Sequence, residues 1–512
     1  MARVGPQRRL LHSPTARAAI LVALGVGVAL LFAATVAAAR PGGGQSFSGG
    51  GSRGGGGGGD GGGVGLLIEL LIWLCIRHPA IGIPLTLIVI VFFIVKAVLG
   101  STLKDWSTTT GTGQAAVAHV PRVIRPATVP RSKLDEIRRI DPQFSVVLFE
   151  DFVYFLYAAV LRARATGFEP LAAYVTPDVA QSLRDPNLVD VRGIVIGAVK
   201  IVSFTGVSQS MIGVELEFET NYVEVYRAGG ERRFYAVDRV RLQRAAQARS
   251  RPPARARTLD CPNCGAPLES VRGTHCTYCQ QEVGHGRFDW NVCAFRTQSK
   301  EQRGPLLTSN VEEVGTDLPT LVDPGAMSRF QAILQRDPAA TWDALSGRLT
   351  HIFNELQVAW SSRDPARIRP YVSDNLFQSL YYWIDLYLQQ RCRNVNENAR
   401  ILRLELANVL TDATYDAVTI RVFATGLDYT ISDEGRVLSG SRTRLRTYSE
   451  YWTLIRGTTR KGQSRGDTAC PNCGAPLRVG MAGNCEYCQV KVTTGDFDWV
   501  LSRIEQDEAY SG

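Results

Sequence analysis

Eight of the 11 cysteines fall into two sets with one spacing, C-x2-C-x11-C-x2-C: Cys261, Cys264, Cys276 and Cys279, then Cys470, Cys473, Cys485 and Cys488. Four thiolates in two close pairs complete a tetrahedral shell around a borderline-soft ion at about 2.3 Å and leave no position for a reacting water. The role such a set supports is structural. Two zinc ions are expected; iron in a rubredoxin-like site and a pair of disulfides per set are the alternatives. In each first pair, C-P-N-C-G, the proline presets a turn, and Gly265 or Gly474 can adopt the left-handed backbone that aims N–H groups at sulfur. His275 and His285 stand beside a shell that is already full. The cassettes, 261–284 and 470–493, both run on into the same tripeptide, Phe288-Asp289-Trp290 and Phe497-Asp498-Trp499.

Other chemistry is sparse. No Ser-His-Asp set, phosphate loop or H-E-x-x-H motif is present, and the six histidines are scattered. Asp385, Glu405 and Glu450 are isolated carboxylates, so no enzymatic activity is expected. Trp360, Tyr371, Trp452 and Trp499 are candidates to line a pocket for a lipid or small hydrophobic ligand, or else to fill the core. The run from Arg239 to Arg257 (Arg239, Arg241, Arg244, Arg249, Arg251, Arg255 and Arg257) is a candidate contact for anionic lipid, or else a solvated linker. No aromatics are interleaved in it, which makes nucleic acid an unfavoured partner. The formal net charge of +9 over 512 residues suits an anionic surface without specifying one.

The elements that must carry these residues can be marked along the chain. Residues 1–39 read as a signal peptide or a first transmembrane helix, with Arg3, Arg8, Arg9 and Arg17 ahead of an apolar run that ends in V-A-A-A. Residues 40–65 are a Gly-rich linker. Residues 66–99 read as an interfacial helix followed by a transmembrane helix, and the basic residues beyond it place the remainder in the cytoplasm. Reduced metal-binding thiols agree with that side. A basic Thr/Pro-rich tether covers 100–139. A first domain covers 140–296, a linker 297–335, a second domain 336–506, and a tail 507–512.

The two domains are a repeat. Asp141-Pro142 matches Asp337-Pro338, and Tyr174-Val175 with Gln181-Ser182-Leu183 matches Tyr371-Val372 with Gln378-Ser379-Leu380. Leu345, Leu349, Ile352, Phe353, Leu356 and Trp360 recur at helical spacing. Asp364-Pro365 opens a short helix, and Ser373-Asp374 opens the next. The period then changes to two, at Leu402, Leu404 and Leu406; at Val418, Ile420 and Val422; and at Tyr448, Glu450, Trp452 and Leu454. Helices followed by a meander predict an α+β fold, with an antiparallel sheet wrapped over a long helix.

Trp360-x-x-x-Asp364, then I-R-P-Y-V-S, then E-Y-W-T-L-I-R resembles the C-terminal domain of subunit 44 of the mitochondrial inner-membrane translocase, a Tim 44-like domain. The resemblance covers 337–506, more weakly 140–296, and the N-terminal arrangement, which is similar to that of bacterial relatives and implies a place at a bacterial inner membrane. It implies a curved sheet enclosing an apolar pocket, similar to nuclear transport factor 2 and cystatin-like folds. It also implies a membrane-anchored, non-enzymatic scaffold in protein transport or assembly with an unidentified protein partner; a lipid carrier or sensor and a zinc-ribbon nucleic-acid binder are the alternatives. The first copy departs from the pattern, with Val240 where Trp452 stands and no counterpart of Trp360. On this family plan the strands ending at Arg244 and Arg456 turn back into strands beginning at Trp290 and Trp499, so each zinc ribbon is an insertion in the last hairpin, projecting as a rigid knob.

Overall fold

Ser145 and Thr341 each precede a long helix, and each turns its hydroxyl back to accept a backbone N–H, from Leu148 at 3.3 Å and from Ala344 at 3.1 Å. Each cap satisfies an orphan donor of the helix's first turn. Behind both caps the computed structural model, which describes residues 129–256, 258–302, 315–463, 469–507 and 509–512, places a parallel succession of elements. The first half runs from a 3-10 helix (Arg131–Arg139) to α1 (Val146–Thr166), α2 (Pro177–Leu183), β1 (Leu188–Phe204), β2 (Met211–Tyr226), β3 (Glu231–Ala245) and β4 (Asn291–Glu301). The second runs through α3 (Ala326–Arg336), α4 (Trp342–Ser362), α5 (Pro365–Ile368), α6 (Asp374–Gln389), β5 (Cys392–Thr411), β6 (Tyr415–Ser432), β7 (Val437–Gly457) and β8 (Val500–Gln506). Each half has an antiparallel four-stranded meander in sequence order, and each cassette lies between the third and fourth strands.

The long helix of each half packs on one face of its sheet. Phe149, Phe152, Val153, Leu156 and Val160 of α1 pack into one core with Val214, Leu216, Phe218, Val240 and Leu242. Leu345, Leu349, Ile352, Phe353, Leu356 and Trp360 of α4 do the same against Val418, Ile420, Val422, Trp452 and Leu454. The alternation expected of β5 breaks at Leu402, which is 52% exposed, because the ladder shifts register between Ile401 and Arg403. A bulge of this kind moves the following side chains to the opposite face.

Three stretches read as connectors are parts of the fold. In 131–139, assigned to a tether, Leu134 and Ile137 are completely buried in the first core. Residues 297–335, assigned to a linker, contain the end of β4, all but the last residue of α3, and a strap at 315–323. That strap lies on the outer face of the second sheet, where Arg421 donates to Leu318 O at 2.7 Å and Gly315 O at 2.8 Å. In the assigned tail, Asp507 pairs with Arg421 at 3.0 Å, and Tyr510 stacks on Tyr451 with ring centroids 3.8 Å apart. Each stretch has connector-like composition, and only distant partners bury it.

The halves are interlocked rather than strung apart. Val147 and Leu148 of α1 pack against Tyr415, Ala417, Ile455 and Val500. Beside them Arg131 bridges Glu150 at 2.6 Å and Glu505 at 3.0 Å, while Arg503 also pairs with both carboxylates. The four side chains are only 9–16% exposed, so salt screens them weakly. Asn375 adds a bond to Asp151 at 2.7 Å, and Arg131 N donates to Gly512 O at 3.0 Å. The membrane segments assigned to 1–39 and 66–99, the linker 40–65 and residues 100–128 lie outside the described residues. Among the described residues no helix is long and apolar enough to cross a membrane. Chains 1–302 and 315–512 produced together as separate polypeptides are expected to co-elute as one complex on size exclusion; two independently eluting species would contradict the interlock.

Candidate metal centres and their Asp-Arg-Trp supports

The four sulfurs of each set lie within 4.8 Å of one another. Cys261 and Cys279 are 3.9 Å apart, Cys264 and Cys276 3.9 Å, Cys470 and Cys488 3.8 Å, and Cys473 and Cys485 4.0 Å. A sulfur tetrahedron with legs of about 2.3 Å has edges of about 3.8 Å. The donor set therefore fits one metal ion in each ribbon, and the thiols are not joined as disulfides. Gly265 and Gly474 have φ of 82° and 74°, as the knuckle turn requires. The asparagine of C-P-N-C has a role that composition alone did not reveal. Asn263 Nδ2 donates to Cys279 Sγ at 3.4 Å and Asn472 Nδ2 to Cys488 Sγ at 3.5 Å. Its recurrence in both cassettes was the available signal. Asn472 and the N–H of Val490 pull the Cys488 thiol down to about 6. Burial pushes Cys279 up, but Asn263 and the N–H of Gln281 outweigh it and bring that thiol down to about 7.

The F-D-W tripeptide joins each ribbon to its sheet. Phe497 packs on the second ribbon with Cys470, Cys485 and Val492. Asp498 accepts the N–H of Trp499 at 2.7 Å, as Asp289 does that of Trp290 at 2.8 Å, and both tryptophans enter the cores. At the other stem of each insertion stands a buried arginine. The Arg244 guanidinium lies 5.1 Å from the Trp290 ring centroid, and that of Arg456 lies 4.6 Å from that of Trp499. Each arginine is paired at 2.9 Å with the Asp of its Asp-Pro, Asp141 or Asp337. Those carboxylates also grip the outgoing loop: Asp141 accepts from Ser250 N at 2.9 Å, and Asp337 from Gly462 N at 3.1 Å. One buried Asp-Arg-Trp set in each half thus fixes the helix entry and both stems of the ribbon.

The ribbons do not project freely, and they dock unequally. In the first, Cys261, Cys276, Val271 and Val283 belong to the same core as α1, and Tyr174 Oη donates to Asp260 O at 2.6 Å. The second keeps a small core of its own. It is latched by Arg369, 1% exposed, which donates to Met481 O at 2.8 Å and pairs with Asp374 at 2.5 Å, while Lys491 pairs with the same carboxylate.

The arginine run is divided between interior and surface. Arg244 is 1% exposed, and the Arg251 side chain, 7% exposed, bridges Asp260 at 2.7 Å and Asp289 at 2.8 Å. Internal carboxylates hold both, so neither is part of the exposed basic surface. Arg255 also pairs with Asp260, and Arg249 donates to Ile140 O. Arg239 pairs with Glu217 but is 41% exposed, Arg241 is exposed, and Arg257 lies outside the described residues. Trp360, Tyr371, Trp452 and Trp499 are 1–7% exposed and packed in the second core, where Trp360 Nε1 donates to Asn394 Oδ1 at 2.9 Å. A small apolar void, with room for about one water, lies instead in the first half, lined by Tyr157, Phe218, Val240 and Phe295 among others. Glu450 accepts from Trp452 Nε1, Glu405 pairs with Arg403, and Asp385 accepts from Gln389.

Residues 326–465 match the family model of the Tim44-like domain, from α3 to the loop after β7. None of the curated proteins compared with the chain matches it. The second half therefore contains a Tim44-like domain.

Native mass spectrometry of the reduced, metal-replete chain should count two ions. The variant Cys473→Ser should lose one ion while shifting the main unfolding transition little, whereas Cys276→Ser should destabilise the first half by about 2 kcal/mol or more, the usual cost of opening a core. Burial pushes the Asp337 carboxyl up, but the Gly462 N–H and Arg456 outweigh it and hold it below the usual carboxylate range. Its contribution is thus present above the unfolded value of about 4 and is lost as the pH falls through the folded value. Asp337→Asn should destabilise at pH 7 and weaken the acid limb of the urea-stability profile; an unchanged limb would refute the linkage.

Proposed function

We propose that the protein is a membrane-anchored, non-enzymatic scaffold in protein transport or membrane assembly, built from two copies of a Tim44-like domain that each carry a structural zinc ribbon. The observation that carries this reading is the Tim44-like match at 326–465. Support for the second copy comes from the first half, which repeats the strand order, the helix cap, the Asp-Arg-Trp set and the insertion point. Closed four-cysteine sets are stabilising centres rather than reaction centres. The isolated carboxylates are engaged within the fold, which supports a binding role rather than acid-base chemistry.

The apolar segments before residue 100 supply the anchor and place residues 105–512 in the cytoplasm. Among the described residues, Arg239, Arg241 and Arg249 are the members of the basic run left to meet anionic head groups, each cation near such a surface contributing about 1 kcal/mol. A protein partner binds the outer surfaces of the interlocked block.

Impermeant maleimide should label Met327→Cys, which replaces a 57% exposed side chain, only from the cytoplasmic side of sealed membrane vesicles. In crosslinked, detergent-solubilised membranes the full chain should enrich translocase subunits or exported and membrane proteins over an anchor-only control. Labelling from the outer side would overturn the topology, and enrichment of nucleic acid alone would overturn the scaffold.

A further inference from the structure

At the N-terminus of α1 a small cleft lies against the stem of the first ribbon, lined by Gln143, Ser145, Arg244, Ser250, Arg251 and Trp290 among others. We propose that this cleft binds a compact oxyanion of the size and charge of a phosphate group.

Arg244 is the main observation. It is 1% exposed, and Nη1 serves Asp141 at 2.9 Å and Ser250 Oγ at 3.3 Å, yet Nε and Nη2 are buried without an acceptor. The rings of Trp290 and Phe144 lie 5.1 and 5.8 Å from the guanidinium carbon. Ring faces attract the charge but do not replace oxygen acceptors for two in-plane N–H groups. Burial lowers the Arg244 pKa despite Asp141, as expected of a cation that lacks part of its compensation.

The helix end supplies the second attraction. The first turn of α1 has no acidic residue, whereas that of α4 has Asp343. An anion beside free N–H groups at a helix N-terminus is favoured. Of the neighbouring carboxylates, Asp289 binds Arg251 and the Trp290 N–H, Asp412 interacts with Ser145 and accepts the N–H groups of Thr414 and Tyr415, and Asp141 serves Arg244 and Ser250 through Oδ2 while its buried Oδ1 has no donor. The second half departs at the position matching Phe152. There Arg348 reaches Trp499 O at 3.3 Å and Asp498 at 3.8 Å. Phe152 cannot do so, and Arg251 arrives from the loop to meet Asp289, leaving the cleft beside Arg244.

Inorganic phosphate titrated by calorimetry into the metal-replete full-length chain in detergent should show one saturable site. Gln143→Glu, at an exposed position on the mouth, should weaken it at least about tenfold through like-charge repulsion while leaving the unfolding midpoint unchanged. Arg244→Lys should weaken it as well, and Gln143→Glu decides alone if that variant misfolds. A soluble short-chain phosphatidic acid supplies the other arm: tighter binding than phosphate identifies a lipid head group as the source, and equal or weaker binding a free anion. Absence of saturable phosphate binding at tens of millimolar, or equal binding by Gln143→Glu, would overturn the site.

Discussion

A buried carboxylate holding a buried arginine against a tryptophan is the constraint on which both halves depend. Asp141, Arg244 and Trp290 form it in the first half, and Asp337, Arg456 and Trp499 in the second. Two opposite charges removed from water are stable only when paired and hydrogen-bonded, and losing one strands the other. The arrangement therefore admits one register for three chain segments at once: the entry to the long helix, the end of the third strand and the start of the fourth. Without it, an insertion of this length would separate strands that must pair.

The four-cysteine ribbons extend the same logic. A long loop costs entropy that grows slowly with length, and an ion held by the four thiolates would remove most of its freedom. The F-D-W segment passes that order on, with Phe on the ribbon, Asp turning the chain and Trp in the core. The two ribbons are nevertheless held differently. The first shares its domain core, while the second stands on a latch of Arg369, Asp374 and Lys491. One motif thus supports a core extension in one place and a separable element in the other.

Much of this was legible in the sequence. The cysteine spacing marked both four-cysteine clusters, the period of Leu345 to Trp360 marked α4, and the two Asp-Pro pairs marked the carboxylates that hold Arg244 and Arg456. What stayed hidden depends on contacts between segments remote in sequence. Tyr510 reads as tail until Tyr451 is beside it, and Leu134 reads as tether until α1 covers it. The arginine run looked uniform because composition cannot distinguish Arg244, facing Asp141, from exposed Arg241. Leu402 failed because a bulge resets the alternation, and nothing local in sequence announces it. The pocket expected around Trp360 and Trp452 is filled by those same side chains.

The most direct test of the central constraint is a double-mutant cycle in the full chain, with Asp337→Ala, Arg456→Met and the double variant compared by urea unfolding. Each single change should cost about 3–5 kcal/mol by leaving a buried partner charge uncompensated, and the double variant should cost clearly less than their sum, with a coupling of about 2 kcal/mol or more. Additive effects, with no coupling between the two positions, would show that the Asp-Arg pair does not hold the fold together.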